Sequence, residues 1–215
     1  MRCRQLWNAI FGRIICMNNS VLNGWSLDQL MQAAQELLPP KRFRHTLGVA
    51  QAAVDLARRY GEDESIAYAA GLLHDLTKPW SPEQQLAYCR EKGILLDALE
   101  RRSPALLHAI TVGEFVREKF GISDAPLLLA LRYHTTGRAG MSRLEKILYL
   151  ADYIEVNRDF DGVENVRALA DQGLDVMLLC AMRQTIVEVV QKPSALHPDT
   201  IACYNECWWE ANQNG

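Results

Sequence analysis

The segment Asp63-Glu64-Ser65-Ile66-Ala67-Tyr68-Ala69-Ala70-Gly71-Leu72-Leu73-His74-Asp75 carries a complete helical signal and ends on two metal-binding side chains. Asp63 is a residue type suited to the N-cap, and Ile66, Ala70 and Leu73 recur at helical spacing. The face that carries His74 also carries Ala67, Ala70 and Gly71, small enough to let a neighbouring helix approach closely. The adjacent carboxylate adds a chemical possibility. Asp75 has two oxygens, so it can bridge two metal ions while His74 anchors one of them.

Outward from this segment, helical periodicity continues and no alternating strand pattern competes with it. Ser26-x-x-Gln29 reads as a capping box for a helix that ends near Leu38, where Pro39-Pro40 stops it. The next helix carries Phe43, Leu47, Ala50, Val54 and Ala57 on one stripe and closes at Gly61. His45 shares a second stripe with Val49, Ala52 and Leu56, and a helix apolar on two faces belongs in a core. Ser81-Pro82 starts a helix that ends before Gly93, and Ser103-Pro104 starts one that carries His108 and ends at Gly121. An apolar helix from about Ala125 delivers His134. Ser142-x-x-Glu145, a second capping box, begins the helix that carries Asp152. Further helices are expected over about 163–171 and 174–191, and a last one after His197-Pro198-Asp199-Thr200. The fold class is all-α, a compact helical bundle with a site between its helices. Residues 1–25 read as an N-terminal extension and 26–215 as the domain.

Five histidines occur in the chain, and four of them form an ordered series with two aspartates: His45, His74-Asp75, His108, His134 and Asp152. One histidine on an apolar helix face is ordinarily a core residue. Six candidate ligands near helix faces and ends are not explained that way. Imidazole with carboxylate suits iron, manganese or zinc rather than magnesium or calcium. Two such ions roughly 3.5–4 Å apart can clamp an in-line phosphoryl displacement.

Composition narrows the partners. A net charge of −3 gives no global attraction to nucleic acid or an anionic membrane, so an anionic substrate needs a local basic cluster. The N-terminal MRCRQLWNAIFGRIICMNNS is broken by Asn8, Gly12 and Arg13, too short for a membrane span and without a clean cleavage site. It reads as an amphipathic surface helix or an extension, with Met17 as an alternative start. Cys3, Cys16, Cys89, Cys180, Cys203 and Cys207 form no CxxC pair and read as reduced thiols of a cytoplasmic protein. Cys203 and Cys207, four apart, suit either a packed tail or a metal or redox pair, and the packed tail is favoured.

The segments Arg42-Phe43-Arg44-His45-Thr46-Leu47-Gly48-Val49, Gly71-Leu72-Leu73-His74-Asp75 with Lys78, Arg132-Tyr133-His134-Thr135-Thr136-Gly137-Arg138 and Tyr149-Leu150-Ala151-Asp152-Tyr153-Ile154-Glu155 resemble HD-domain phosphohydrolases. With Arg158-Asp159-Phe160 and His197-Pro198-Asp199-Thr200, the likeness is to the YqeK-type symmetrical bis(5′-nucleosyl)-tetraphosphatases, over roughly residues 26–206. The resemblance implies a di-iron centre, with manganese or zinc as alternatives, that cleaves diadenosine tetraphosphate to two ADP. It implies His45, His74, Asp75 and Asp152 around one metal, and Asp75, His108 and His134 around the other. It also implies that Lys78, Arg138, Arg158 and the segment of His197, Asp199 and Thr200 border the nucleotide; His45, Asp75 and the hydroxyls of Thr135 and Thr136 are read beside them, with Asp75 and Lys78 catalytic. It admits a homodimer.

Each residue around the ligands also has a plainer reading. Lys78 can complement a helix C-terminal dipole, and Thr135 and Thr136 can cap a turn. Arg138 can be an exposed solubilising arginine, and Arg158 can pair with Asp159 or Asp161 on the surface. Asp199 can be a helix cap. Arg42 and Arg44 read as a solvated helix face. Two other functions remain open: hydrolysis of a nucleoside triphosphate, an alarmone or a cyclic dinucleotide at the same site, or nucleotide sensing with structural metals.

Overall fold

Caps mark where the chain turns. In the computed structural model, which describes residues 21–212, Ser26 and Gln29 form the reciprocal capping box of α1 (Leu27–Leu37). Pro40 does more than stop α1. It is the first residue of α2 (Pro40–Tyr60), a position where a missing N–H costs nothing. Gly61 ends α2 at φ 72°, a left-handed conformation that glycine adopts without strain. Asp63 Oδ1 then accepts from the Ser65 and Ile66 amides at 2.8 and 2.9 Å and starts α3 (Glu64–Leu73).

The chain continues through α4 (Pro82–Glu91), a 3₁₀ turn (Glu100–Arg102), α5 (Pro104–Phe120), α6 (Ala125–Tyr133) and α7 (Arg143–Ile154). It ends with α8 (Val163–Arg167), α9 (Leu174–Gln191) and α10 (Pro198–Asn212). The bundle is all-α as expected. α8 is shorter than the expected 163–171, because its last residues wind on as turns rather than helix.

One small element was not expected from the sequence. A two-residue antiparallel ladder, β1 (Val21–Leu22) with β2 (Trp25–Ser26), precedes α1. Asn23 and Gly24 turn it at φ 51° and 87°, the Asn-Gly pair that favours a tight hairpin. Trp25 packs edge-on against Phe120 at 5.1 Å, and Asn23 Nδ2 donates to the Gly121 carbonyl at 2.7 Å. The expected N-terminal helix, Met17, Cys3 and Cys16 lie outside the described residues. No described helix is long and apolar enough to cross a membrane.

α2 is the spine, packed along α3 on one side and α7 on another. A Cβ on Gly71 would lie 2.4 Å from the Cα of Ala50, so α2 and α3 touch backbone to backbone there. That contact brings His45 of α2 toward His74 at the end of α3. Leu72, Leu73, Ala50, Ala53, Leu148 and Leu150 fill the surrounding core with almost no exposed surface.

Candidate metal centre

Five helices deliver the six expected ligands to one place. His45 projects from α2 and His74 is the C-cap of α3, with Asp75 in the turn that follows. His108 lies on α5, His134 is the C-cap of α6, and Asp152 lies on α7. His74, Asp75, His108 and His134 are buried; His45 and Asp152 are half-buried at the mouth.

Asp75 divides the set. Its Oδ2 faces the Nε2 atoms of His74 and His45 at 3.5 and 3.8 Å. Its Oδ1 faces those of His108 and His134 at 3.4 and 3.9 Å. His108 and His134 meet Nε2 to Nε2 at 3.1 Å, while His45 Nε2 lies 3.1 Å from Asp152 Oδ1. The donor atoms of His45, His74 and Asp152 fall within 4.8 Å of one another, and so do those of His74, Asp75 and His134.

The donor set passes a chemical test for a cation. His74 Nδ1 faces the Gly71 carbonyl at 2.7 Å, and His134 Nδ1 faces the Leu131 carbonyl at 2.8 Å. A carbonyl can only accept, so Nδ1 carries the proton in both rings and Nε2 turns its lone pair inward. A backbone partner of this kind commonly fixes the tautomer of a metal-binding histidine. His74 Nε2 is buried with no hydrogen-bond partner among the described residues, and His45 Nε2 makes no well-directed hydrogen bond although Asp152 Oδ1 lies 3.1 Å away. Buried imidazole nitrogens left this way are costly unless an ion takes the lone pairs.

Charge agrees with this. Burial alone would raise the carboxyl of Asp75, but His74, His108 and His134 hold it well below the usual range. Burial pushes His108 well down and His134 down to about 4, which keeps both rings neutral, the state in which imidazole binds metal. His45 differs. Burial opposes its charge, but Asp152 and Glu155 overcome that and raise it to about 9. A cation binding there displaces a proton.

The surrounding residues divide. Lys78 curls back over the site through a turn closed by its amide on the Asp75 carbonyl at 3.0 Å. Its Nζ lies 3.2 Å from His108 Nδ1, and burial lowers its pKa. Thr135 Oγ1 also faces this side, 3.5 Å from His108 Nε2. Arg158 does not pair with Asp159 or Asp161. It reaches back to the Asp152 carbonyl and carboxylate from six residues away. Arg42 is not simply solvated either: its Nη1 donates to Asp75 Oδ2 at 2.9 Å, while Arg44 is exposed.

Other candidates are engaged by partners outside the ligand set. Arg138 is not a free solubilising arginine. It binds both oxygens of the buried Glu145 at 2.6 and 2.9 Å, and its remaining Nη1 donates to the Ala139 carbonyl. Thr136 Oγ1 donates to the Gly137 carbonyl, and the Thr136 carbonyl accepts from Thr200 Oγ1 at 2.9 Å. The cap of α10 is His197 rather than Asp199, whose amide donates to His197 Nδ1 at 3.1 Å. Cys203 and Cys207 are both buried in the core, Cys203 against Met141.

Glu155 went unassigned in the sequence. Nearly completely buried, it accepts from His45 Nδ1 at 3.1 Å and from the amide and side chain of Asn157. Gly48 makes the space for it: a Cβ there would lie 2.3 Å from Glu155 Oε2. Glu155 and Gly48 both stand in the quoted motifs, so their signal was visible without its meaning.

A family profile described as HD domain matches residues 42–157. A symmetrical bis(5′-nucleosyl)-tetraphosphatase of Halalkalibacterium halodurans is 42% identical, the match covering 82% of this chain and 94% of that one. One from Bacillus subtilis is 36% identical over 83% and 95%. A crystal structure from Clostridium acetobutylicum, described as that of a predicted HD superfamily hydrolase involved in NAD metabolism, superposes with a TM-score of 0.82 at 39% identity, covering 86% of this chain and 98% of that one.

Proposed function

We propose a mechanism from the premise that this chain belongs to the HD-domain family and, within it, to the symmetrical bis(5′-nucleosyl)-tetraphosphatases. It is a metal-dependent hydrolase that cleaves diadenosine tetraphosphate. Our finer reading is two transition-metal ions, iron first with manganese or zinc as alternatives, and attack at the central anhydride to release two ADP.

The observation that carries this reading is the division of Asp75, with one oxygen turned to His45 and His74 and the other to His108 and His134. His45, His74, Asp75 and Asp152 would hold one ion; Asp75, His108 and His134 would hold the other. When bound, such a pair supplies a nucleophile near neutral pH and draws charge from the attacked phosphorus.

The chain supplies position and further charge. Lys78, anchored by its turn beside His108, presents an ammonium to the phosphate on the Oδ1 side of Asp75. Arg42 does the same from the Oδ2 side, and Arg158 orients Asp152. Thr135 offers a hydroxyl on the face of His108. Thr136, Arg138 and the His197–Thr200 segment shape the nucleotide rim indirectly, because their polar groups brace the loop after His134.

Chromatography of products from diadenosine tetraphosphate tests the reaction. Central cleavage gives ADP alone. AMP with ATP would mean asymmetric attack and would end this reading.

A further inference from the structure

Among the described residues, a cleft of about 740 Å³ opens directly off the metal centre. That volume is within the range of roughly 300–1,000 Å³ common for small-molecule sites. His134, Thr135, Asp152 and Arg158 form its inner end, and its walls continue along α7 and α9.

The chemistry changes along its length. At the inner end Arg158 offers a cation beside Asp152. Further out, Tyr153 and Phe160 meet edge to face at 5.0 Å, and Tyr153 is held by a 2.6 Å bond from its hydroxyl to Gln184 Oε1. Phe160 and Val187 remain 37% and 47% exposed, so this wall leaves apolar surface open to solvent. Asp161, Glu188 and the exposed Arg183 also line the cleft. The two carboxylates offset that arginine toward a bare polyphosphate tail and are good acceptors for ribose hydroxyls or a base amino group. An aromatic wall with polar groups beside it suits a nucleobase.

Symmetrical cleavage places the scissile bond midway along the substrate, so its two nucleosides must leave the centre by separate routes. We propose that one nucleoside arm of the dinucleoside polyphosphate lies in this cleft, its base against Phe160 and Val187 and its ribose toward α9. The assignment rests on the function given above. It makes Phe160 and Val187 specificity residues that never touch the reacting phosphorus.

Two variants test it without touching a metal ligand. Val187→Trp fills the cleft from an exposed position on α9, and Phe160→Ala removes the aromatic surface beside Tyr153. Folding is checked by circular dichroism and metal content by elemental analysis. The measurements are the number of labelled ADP molecules bound per metal-loaded chain in equilibrium dialysis, and kcat and KM for diadenosine tetraphosphate. The wild type should bind two ADP per chain and each variant one. KM should rise about 10-fold in each variant with kcat little changed, the size expected for one lost base contact. One ADP in the wild type, or variants with wild-type stoichiometry and KM, would overturn the cleft assignment while leaving the reaction standing. A metal-loaded wild type that leaves diadenosine tetraphosphate intact would instead remove the function, and this inference with it.

Discussion

Glu155 Oε1 accepts from Nδ1 of His45 at 3.1 Å, across 110 residues of sequence. This contact aims the other ring nitrogen of His45 at Asp152 and Asp75. Partners that orient metal ligands in this way typically cost about 10- to 100-fold in metal affinity when removed. Glu155→Ala should weaken metal binding by about that factor, read by chelator competition, and leave the helical content intact. Gly48→Ala should do the same at a distance, because its new methyl group takes the place of Glu155 Oε2. Unchanged metal affinity in both variants would mean that Glu155 only fills space.

Lys78 separates the work of protein and metal. Lys78→Ala should keep its metal and lose about 10²-fold or more in kcat/KM, as when one charge-stabilising donor is removed. Lys78→Arg should recover only part of this, since a planar guanidinium does not place charge where an ammonium does. Asp152→Ala should lose metal and activity together. Near-wild-type turnover by Lys78→Ala would leave Lys78 with only its turn to stabilise.

At Gly71, α2 and α3 approach backbone to backbone. An added methyl group there meets the backbone of Ala50, which cannot move aside as a flexible side chain would. Gly71→Ala should therefore cost about 1–3 kcal/mol of stability by overpacking. It should also lower metal affinity by moving His45 away from His74. Denaturant melts with and without metal measure both effects. A variant as stable as wild type would show that the helices have slack at this point.

Much of this was legible in the sequence because it depends on local chemistry. Ser26, Asp63, Ser81 and Ser142 cap the helices they were expected to start, since a cap acts within four residues. The grouping of His45, His74, Asp75, His108, His134 and Asp152 was legible too, because rare histidines recurred at helix faces and ends. The hairpin at Asn23-Gly24 was overlooked since strands of two residues carry no periodicity, though the Asn-Gly pair marks the turn. Partner choice was hidden. Arg42 finds Asp75 across 33 residues, and Glu155 is a helix-ending carboxylate until the fold brings His45 beside it. Arg138 looked free for phosphate because Glu145 was already explained as half of a capping box, yet that same carboxylate also binds the guanidinium.

The most direct test of the centre is metal stoichiometry in protein purified without oxygen. If Asp75 gives one oxygen to each half of the site, wild-type protein should carry two transition-metal ions per chain. Asp75→Ala should carry none, and His108→Ala should keep the ion held by His45, His74 and Asp152 while losing most of the other. One ion or none in folded wild-type protein, or two ions retained by Asp75→Ala, would contradict a centre bridged by Asp75.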